Sequence, residues 1–302
     1  MRVISLLCCA LIGIGAGLQT SAPGARPTAP VISEVLATQV ALDRVGFSPG
    51  EIDGRRGKNL ERALAAYKQS HEEELSLLGD VPPLVDYAIS DADVAGPFTP
   101  DIPPNLPDQA ALDALNYRNP LEAIAERFHS SPALLQQLNP QATFQKAGEH
   151  VMVPNVAAAP LTIPTQDITV VVTKSTSALT IEGAKGQVLF HAPVTSGSTH
   201  DPLPIGTWKV NGVQRNPKFH YNPQLFWDAT PGDRKATLQS GPNNPVGVVW
   251  IDLSKPHYGI HGTPEPSKIG HVESHGCVRL TNWDADRVAG WVKPGTRVVF
   301  RE

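Results

Sequence analysis

The spacing of apolar positions divides the chain into regions of different texture. Over residues 31–70 they recur at helical spacing. Val31, Val35, Leu42 and Val45 share one stripe that Gly46 closes, and Leu60, Ala63, Leu64 and Tyr67 form another behind Asn59 as N-cap. Pro49, Gly50, Asp53 and Gly54 mark the turn between them. This pattern predicts a compact helical unit, too small to be very stable alone. A second helical stretch opens where Asn119 as N-cap, Pro120 at N1 and Glu122 at N3 agree, with Leu121, Ile124, Ala125 and Phe128 as its buried stripe. Ser131 and Pro132 open a further helix over Leu134, Leu135 and Leu138, and Gly148 to Pro154 reads as a short strand. Residues 117–156 therefore form a small α+β unit.

Between these units, from Gln69 to Tyr117, there is no Lys or Arg, and prolines from Pro82 to Pro107 punctuate the chain. Residues 71–116 are expected to be an acidic, Pro-rich connector that packs on its neighbours or spaces them, with some order over Leu84 to Phe98. From Ile168 onward the texture becomes β. Ile168–Val172, Leu179–Ile181, Val188–Phe190, Thr207–Val213, Val246–Leu253 and Arg297–Phe300 are short β-branched or alternating runs bounded by turn residues. They predict a mostly-β, mostly antiparallel sandwich or barrel-like domain over 167–302, with one helix at Trp283–Val292.

Composition sharpens this picture at three points. The 302 residues carry 25 Lys+Arg against 29 Asp+Glu, a net charge of −4, which argues against a nucleic-acid partner. The 29 prolines and 25 glycines favour short strands and turns. At the N-terminus, Arg2 precedes an uncharged apolar run from Val3 to Leu18 and the small residues Thr20, Ser21 and Ala22, the layout of a secretory signal over residues 1–22. The run is shorter than the roughly 20 residues a spanning helix needs, so no membrane span is expected after cleavage. Removal of Cys8 and Cys9 would leave Cys277 as the one thiol of an exported protein, unable to form an internal disulfide.

The neighbours of that thiol decide its reading. His257, His261, His271, His275 and Cys277 fall within the segment HYGIHGTPEPSKIGHVESHGCVRL, which holds four of the ten histidines. A zinc site built from His261, His271, His275 and Cys277 is one possibility, weakened by Gly270 and Gly276 around the i, i+4 pair and by the lack of HExxH or paired CxxC motifs. Nucleophilic catalysis is the other: His261 or His275 as base, with Ser274, Gly276 and Cys277 offering backbone N–H groups in a Gly-containing turn, and Arg279 a candidate for a substrate carboxylate.

Ile260-His261-Gly262-Thr263 followed by Ser274-His275-Gly276-Cys277-Val278-Arg279-Leu280 closely resembles the L,D-transpeptidase (YkuD-type) catalytic domain, and Pro193 to Trp208 is similar to that family's upstream region. The resemblance spans about 168–301. It implies a mostly-β catalytic domain in which Cys277 attacks the L,D-amide before the terminal D-Ala of a peptidoglycan tetrapeptide stem, forms a thioester and passes the acyl group to an amine. His261 would be the base, oriented by the Gly262 carbonyl. His275 and the amides of Gly276 and Cys277 would bind the oxyanion beside Ser274, and Tyr258 and Arg279 would contact substrate. Such enzymes need neither metal nor cofactor, and carbapenems acylate them. The acceptor would be a diaminopimelate amine, a D-amino acid or a lipoprotein lysine, or water in an L,D-carboxypeptidase. Residues 31–70 resemble a peptidoglycan-binding module and 117–156 a LysM-like unit without an evident first strand, which implies a periplasmic or wall location. A non-enzymatic wall-binding protein is the remaining alternative.

Overall fold

Two short helices, joined by the expected turn, come first among the described residues. The computed structural model describes residues 32–72, 75, 81–157, 167–272, 274 and 276–302; the leader read over 1–22 lies outside them. Helix α1 (Glu34–Arg44) starts at Ser33, whose hydroxyl accepts from the Leu36 N–H, and buries Leu36, Val40 and Leu42. Val45, placed on the buried stripe by its spacing, is instead 42% exposed, because the helix has already ended and the chain turns at Gly46. Helix α2 (Lys58–Ser70) begins behind Gly57, not Asn59. The Asn59 amide is used elsewhere and donates to the Ile269 carbonyl at 2.8 Å.

The Pro-rich stretch contains a short strand, β1 (Leu84–Ala88), and two single-turn helices, α3 (Asp91–Ala95) and α4 (Leu106–Gln109). Then come α5 (Pro120–Arg127), capped by Asn119 as its sequence predicts, α6 (Pro132–Leu138) behind Ser131, and β2 (His150–Pro154). Strands β1 and β2 pair antiparallel from Leu84 with Pro154 to Ala88 with His150. Residues 84–154 thus have the order strand, helices, strand, with the first strand drawn from the acidic segment. Their core, Leu84, Ile89, Ile124, Leu135, Val151 and Val153 with their neighbours, also takes in Leu36 and Val40 of α1.

Downstream lie β3 (Thr169–Thr173), β4 (Ala178–Glu182), β5 (Val188–Pro193), β6 (Thr195–Ser196), β7 (Gly206–Arg215), β8 (Phe219–Tyr221), β9 (Ala236–Leu238), β10 (Val249–Leu253), β11 (Gly259–His261), β12 (Val278–Arg279), α7 (Asn282–Trp291) and β13 (Arg297–Arg301). Nine of these strands form one nearly closed, barrel-like sheet in the order β5-β4-β3-β13-β7-β10-β11-β12-β6. All its pairings are antiparallel except β13 with β3 and β11 with β12. Alternating residues of these strands, such as Val170, Val172, Leu179, Ile181, Ile260, Val278 and Phe300, meet Ala285, Val288 and Ala289 of α7 in one core. Strands β8 and β9 form a separate hairpin. Residues Ile102, Leu106, Leu112 and Leu115 of the acidic segment pack against its Phe219, Tyr221 and Leu238, so this part of the segment packs rather than spaces.

The N-terminal helices are tied to the β domain by buried charge. Asp43 at the end of α1 is fully buried, and both its oxygens accept from Arg287 of α7 at 2.9 Å. The His129 ring sits 3.1 Å from the same carboxylate and stacks on Trp283. Beside them the Ser48 hydroxyl donates to Asp284 at 2.7 Å. Burial alone would raise the Asp43 pKa, but His129 and Arg287 overcome it and hold the carboxyl far below the usual carboxylate range. Arg287→Ala is expected to cost about 3–5 kcal/mol, because it strands a buried carboxylate. Urea unfolding at pH 7 checks this, and a loss under about 1 kcal/mol would show that the pair does not clamp the two parts.

Candidate active site

Strands β11 and β12 run parallel with Ile260 beside Val278 and His261 beside Arg279. Two parallel neighbours need a crossover. Here it is the loop from Gly262 to Cys277, so the sequence motif and the topological connection are the same stretch of chain. Alternation does the rest: Ile260 and Val278 are fully buried in the core, and His261, Cys277 and Arg279 line a cleft of about 1120 Å³ on the other face.

His261 is 4% exposed, and its ring lies over Trp250, its cross-strand partner on β10, with centroids 5.5 Å apart. Its Nδ1 is 2.7 Å from the Gly262 carbonyl. A carbonyl only accepts, so Nδ1 carries the proton and Nε2 keeps its lone pair. Burial, reinforced by the Arg279 charge, lowers the His261 pKa to about 3, and the ring is neutral. Cys277 is half-buried with its Sγ 3.7 Å from the His257 carbonyl. Burial raises its pKa, against a backbone hydrogen bond with Gly259 and the Arg279 charge, which lower it. The resting pair is therefore a neutral thiol and a neutral imidazole.

The turn before Cys277 is held from two sides. Ser274 is buried; its hydroxyl donates to the Cys277 carbonyl at 2.7 Å and accepts from the Gly197 N–H at 2.7 Å, while its own N–H donates to the Gly197 carbonyl at 3.0 Å. Gly276 has φ +97° and lies under the Tyr258 ring, so close that a Cβ would sit 2.9 Å from Cε1. Only glycine combines that backbone with that approach. His275 lies outside the described residues.

Tyr258 and Arg279 both line the cleft. The Arg279 Nε is buried without a hydrogen-bond partner among the described residues, and burial lowers its pKa. An orphaned guanidinium nitrogen beside a thiol is a donor held ready for an anionic or carbonyl group. Of the other two histidines in the motif, His257 offers its carbonyl, at a φ of +66°, and His271 lies in the exposed turn behind Ile269. Sequence reasoning missed Trp250, Asp201 and the Pro-rich residues Ile102 to Leu106, which also line the cleft. Trp250 had a signal, as the aromatic at an outward position of an alternating strand; the Pro-rich wall had none.

A family model for the L,D-transpeptidase catalytic domain (YkuD) matches residues 167–300. The Bacillus subtilis strain 168 protein assigned as L,D-transpeptidase YkuD is 33% identical over 182 residues, which cover 60% of this chain and 92% of that protein. Its Bacillus licheniformis counterpart is 52% identical over 60 residues, 20% of this chain and 36% of that one. A solved L,D-transpeptidase from Mycobacterium smegmatis aligns with a TM-score of 0.37 at 17% identity, over 51% of this chain and 64% of that chain. For the site itself, alkylation of Cys277 by iodoacetamide is expected to accelerate as pH rises, with a midpoint above the ordinary thiol value of about 8.5. A rate already at its plateau at pH 6 would mean a preformed thiolate and would contradict the neutral pair.

Proposed function

The chain belongs to the L,D-transpeptidase family, and from that premise we propose that it is an exported, wall-acting cysteine transpeptidase using Cys277 as nucleophile and His261 as base. One observation carries the reading: the Gly262 carbonyl fixes the His261 proton on Nδ1, which leaves Nε2 free to take a proton within the cleft that holds the only thiol of the described chain.

The steps balance on these two residues. His261 Nε2 takes the thiol proton as Sγ bonds to the carbonyl carbon of the L,D-amide before the terminal D-Ala of a tetrapeptide stem. Because His261 is a weak base here and the thiol a weak acid, proton transfer and attack proceed together rather than through a standing ion pair. The tetrahedral oxyanion is met by the amides of Gly276 and Cys277 in the glycine turn, with His275 as a further donor. Collapse breaks the C–N bond, His261 returns the proton to the leaving amine, and D-Ala departs from a thioester. An acceptor amine then attacks and gives its proton to His261, which passes it to the departing Cys277 sulfur as the new amide closes, restoring the neutral thiol and imidazole. Bond energy comes from the cleaved amide, so the exchange needs no nucleotide, metal or cofactor. Arg279, with its orphaned Nε, and Tyr258 position the donor stem.

The acceptor is a diaminopimelate amine of another stem, a D-amino acid or a lipoprotein lysine; water in its place makes the same intermediate an L,D-carboxypeptidase. Residues 31–70 and 117–156 are proposed as peptidoglycan-binding-like and LysM-like units that hold the enzyme at the wall. The strand, helix and strand order of residues 84–154 supports the second assignment. Among the described residues no helix is long and apolar enough to cross a membrane.

Mass spectrometry of a purified disaccharide-tetrapeptide, incubated with the protein in EDTA, tests the proposal. Release of D-Ala and formation of dimers by the wild type, both lost in Cys277→Ala, is the expected result. Monomeric tripeptide alone would reassign the enzyme as a carboxypeptidase, and an unchanged substrate would overturn the cysteine mechanism on this donor.

A further inference from the structure

Gly262, whose carbonyl orients His261, packs against Asn282, and Asn282 is in turn held from outside the catalytic domain. Asn282, the first residue of α7, is 2% exposed, and its Oδ1 accepts from the Val248 N–H at 3.2 Å. That oxygen sits so close against Gly262 that a Cβ there would lie 2.2 Å from it. Its Nδ2 donates to the Pro242 carbonyl at 3.1 Å and to both oxygens of Glu126 at 3.2 Å. Glu126 lies on α5, far upstream of the residues that match the family model. The Tyr117 hydroxyl donates to the same carboxylate at 2.9 Å.

We infer that Glu126 is a positioning residue for catalysis: its carboxylate orients the Asn282 amide, and Asn282 holds the Gly262 peptide in the plane that keeps the His261 lone pair aimed into the cleft. The inference rests on His261 being the base. An amide can lie either way round in its slot, and the two orientations exchange donor for acceptor. A carboxylate is acceptor only, so Glu126 acts with the Pro242 carbonyl and the Val248 N–H to favour the orientation with Nδ2 toward α5 and Oδ1 toward Val248 and Gly262, and its charge strengthens that bias.

Charge at this position carries a signature. Burial is the main cause that raises the Glu126 pKa to about 7, with Glu122 one turn back adding to it and the bonds from Tyr117 and Asn282 opposing it. Among the other charged groups nearby, Arg118 pairs with Glu122, and Arg127 pairs with Asp93. A carboxyl raised in the folded state favours the fold at low pH and progressively loses that contribution as pH rises from its usual range through about 7. The ionised form is therefore kept at a cost in stability, which fits a residue retained for activity.

Glu126→Gln is nearly isosteric and tests the role. At pH 8 its kcat for D-Ala release is expected to fall roughly tenfold with KM unchanged, less than the ~10²-fold that a full ångström of misplacement can cost. Its melting temperature should hold or rise. In the wild type, kcat should fall as pH drops through about 7, and this limb should vanish in Glu126→Gln yet persist in Glu51→Gln, whose carboxyl is also raised to about 7. Alkylation of Cys277 by iodoacetamide, which needs no peptidoglycan donor, is run in parallel. A slower alkylation in Glu126→Gln supports the positioning role even where the wild type fails to release D-Ala, an outcome that overturns the proposed function alone. Equal kcat, equal alkylation and equal pH profiles in the two proteins, or a loss confined to melting temperature, would overturn the inference.

Discussion

The site depends on one pairing, the parallel register of β11 with β12. It sets His261 beside Arg279, places Ile260 and Val278 in the core, and makes the Gly262–Cys277 loop a crossover instead of a hairpin. An antiparallel pair could be closed by two residues, but this one cannot. The spare length of the crossover gives room for the short 3₁₀ turn Pro266–Lys268, for the Ser274 bonds to Gly197 just after β6 and for the glycine under Tyr258. The chemistry follows from the geometry of a connection that the sheet requires.

A second constraint is the low polarity of that site. His261 and Cys277 are both driven toward their neutral forms by burial, and both are near Arg279. In such surroundings a proton is worth moving only when a carbonyl carbon is in place to receive the sulfur, which protects the thiol from idle oxidation or alkylation. The guanidinium that lowers the thiol pKa also lowers that of the imidazole, so it leaves the pair neutral and acts on what enters the cleft.

Much of the β domain was legible in the sequence because its longer strands are β-branched or alternating runs bounded by turn residues, and the Asn119-Pro120-Glu122 start of α5 because three local signals agree. The motif residues could be read because their chemistry lies within one short segment. What escaped was set by partners distant in sequence. Strands β6, β11 and β12 are two or three residues long and owe their conformation to their neighbours in the sheet, so no period forms. Strand β1 hides among prolines and is fixed by β2, some 60 residues on. Asn59 has the residue type of a cap, yet its amide is spent on Ile269; a sequence shows the capacity to hydrogen-bond without showing the partner. Glu126 reads as one more helix charge, and only the tertiary fold shows it half-buried with its carboxylate against Asn282.

The clamp between Asp43 and Arg287 has a consequence for how the molecule comes into being. Its two ends are 244 positions apart, so the cation arrives only after almost the whole polypeptide has left the ribosome. Until then the Asp43 carboxylate of α1 lacks the Arg287 fork that holds both its oxygens, and a nascent N-terminal half cannot bury it cheaply. So non-local a contact lengthens the search for the folded state.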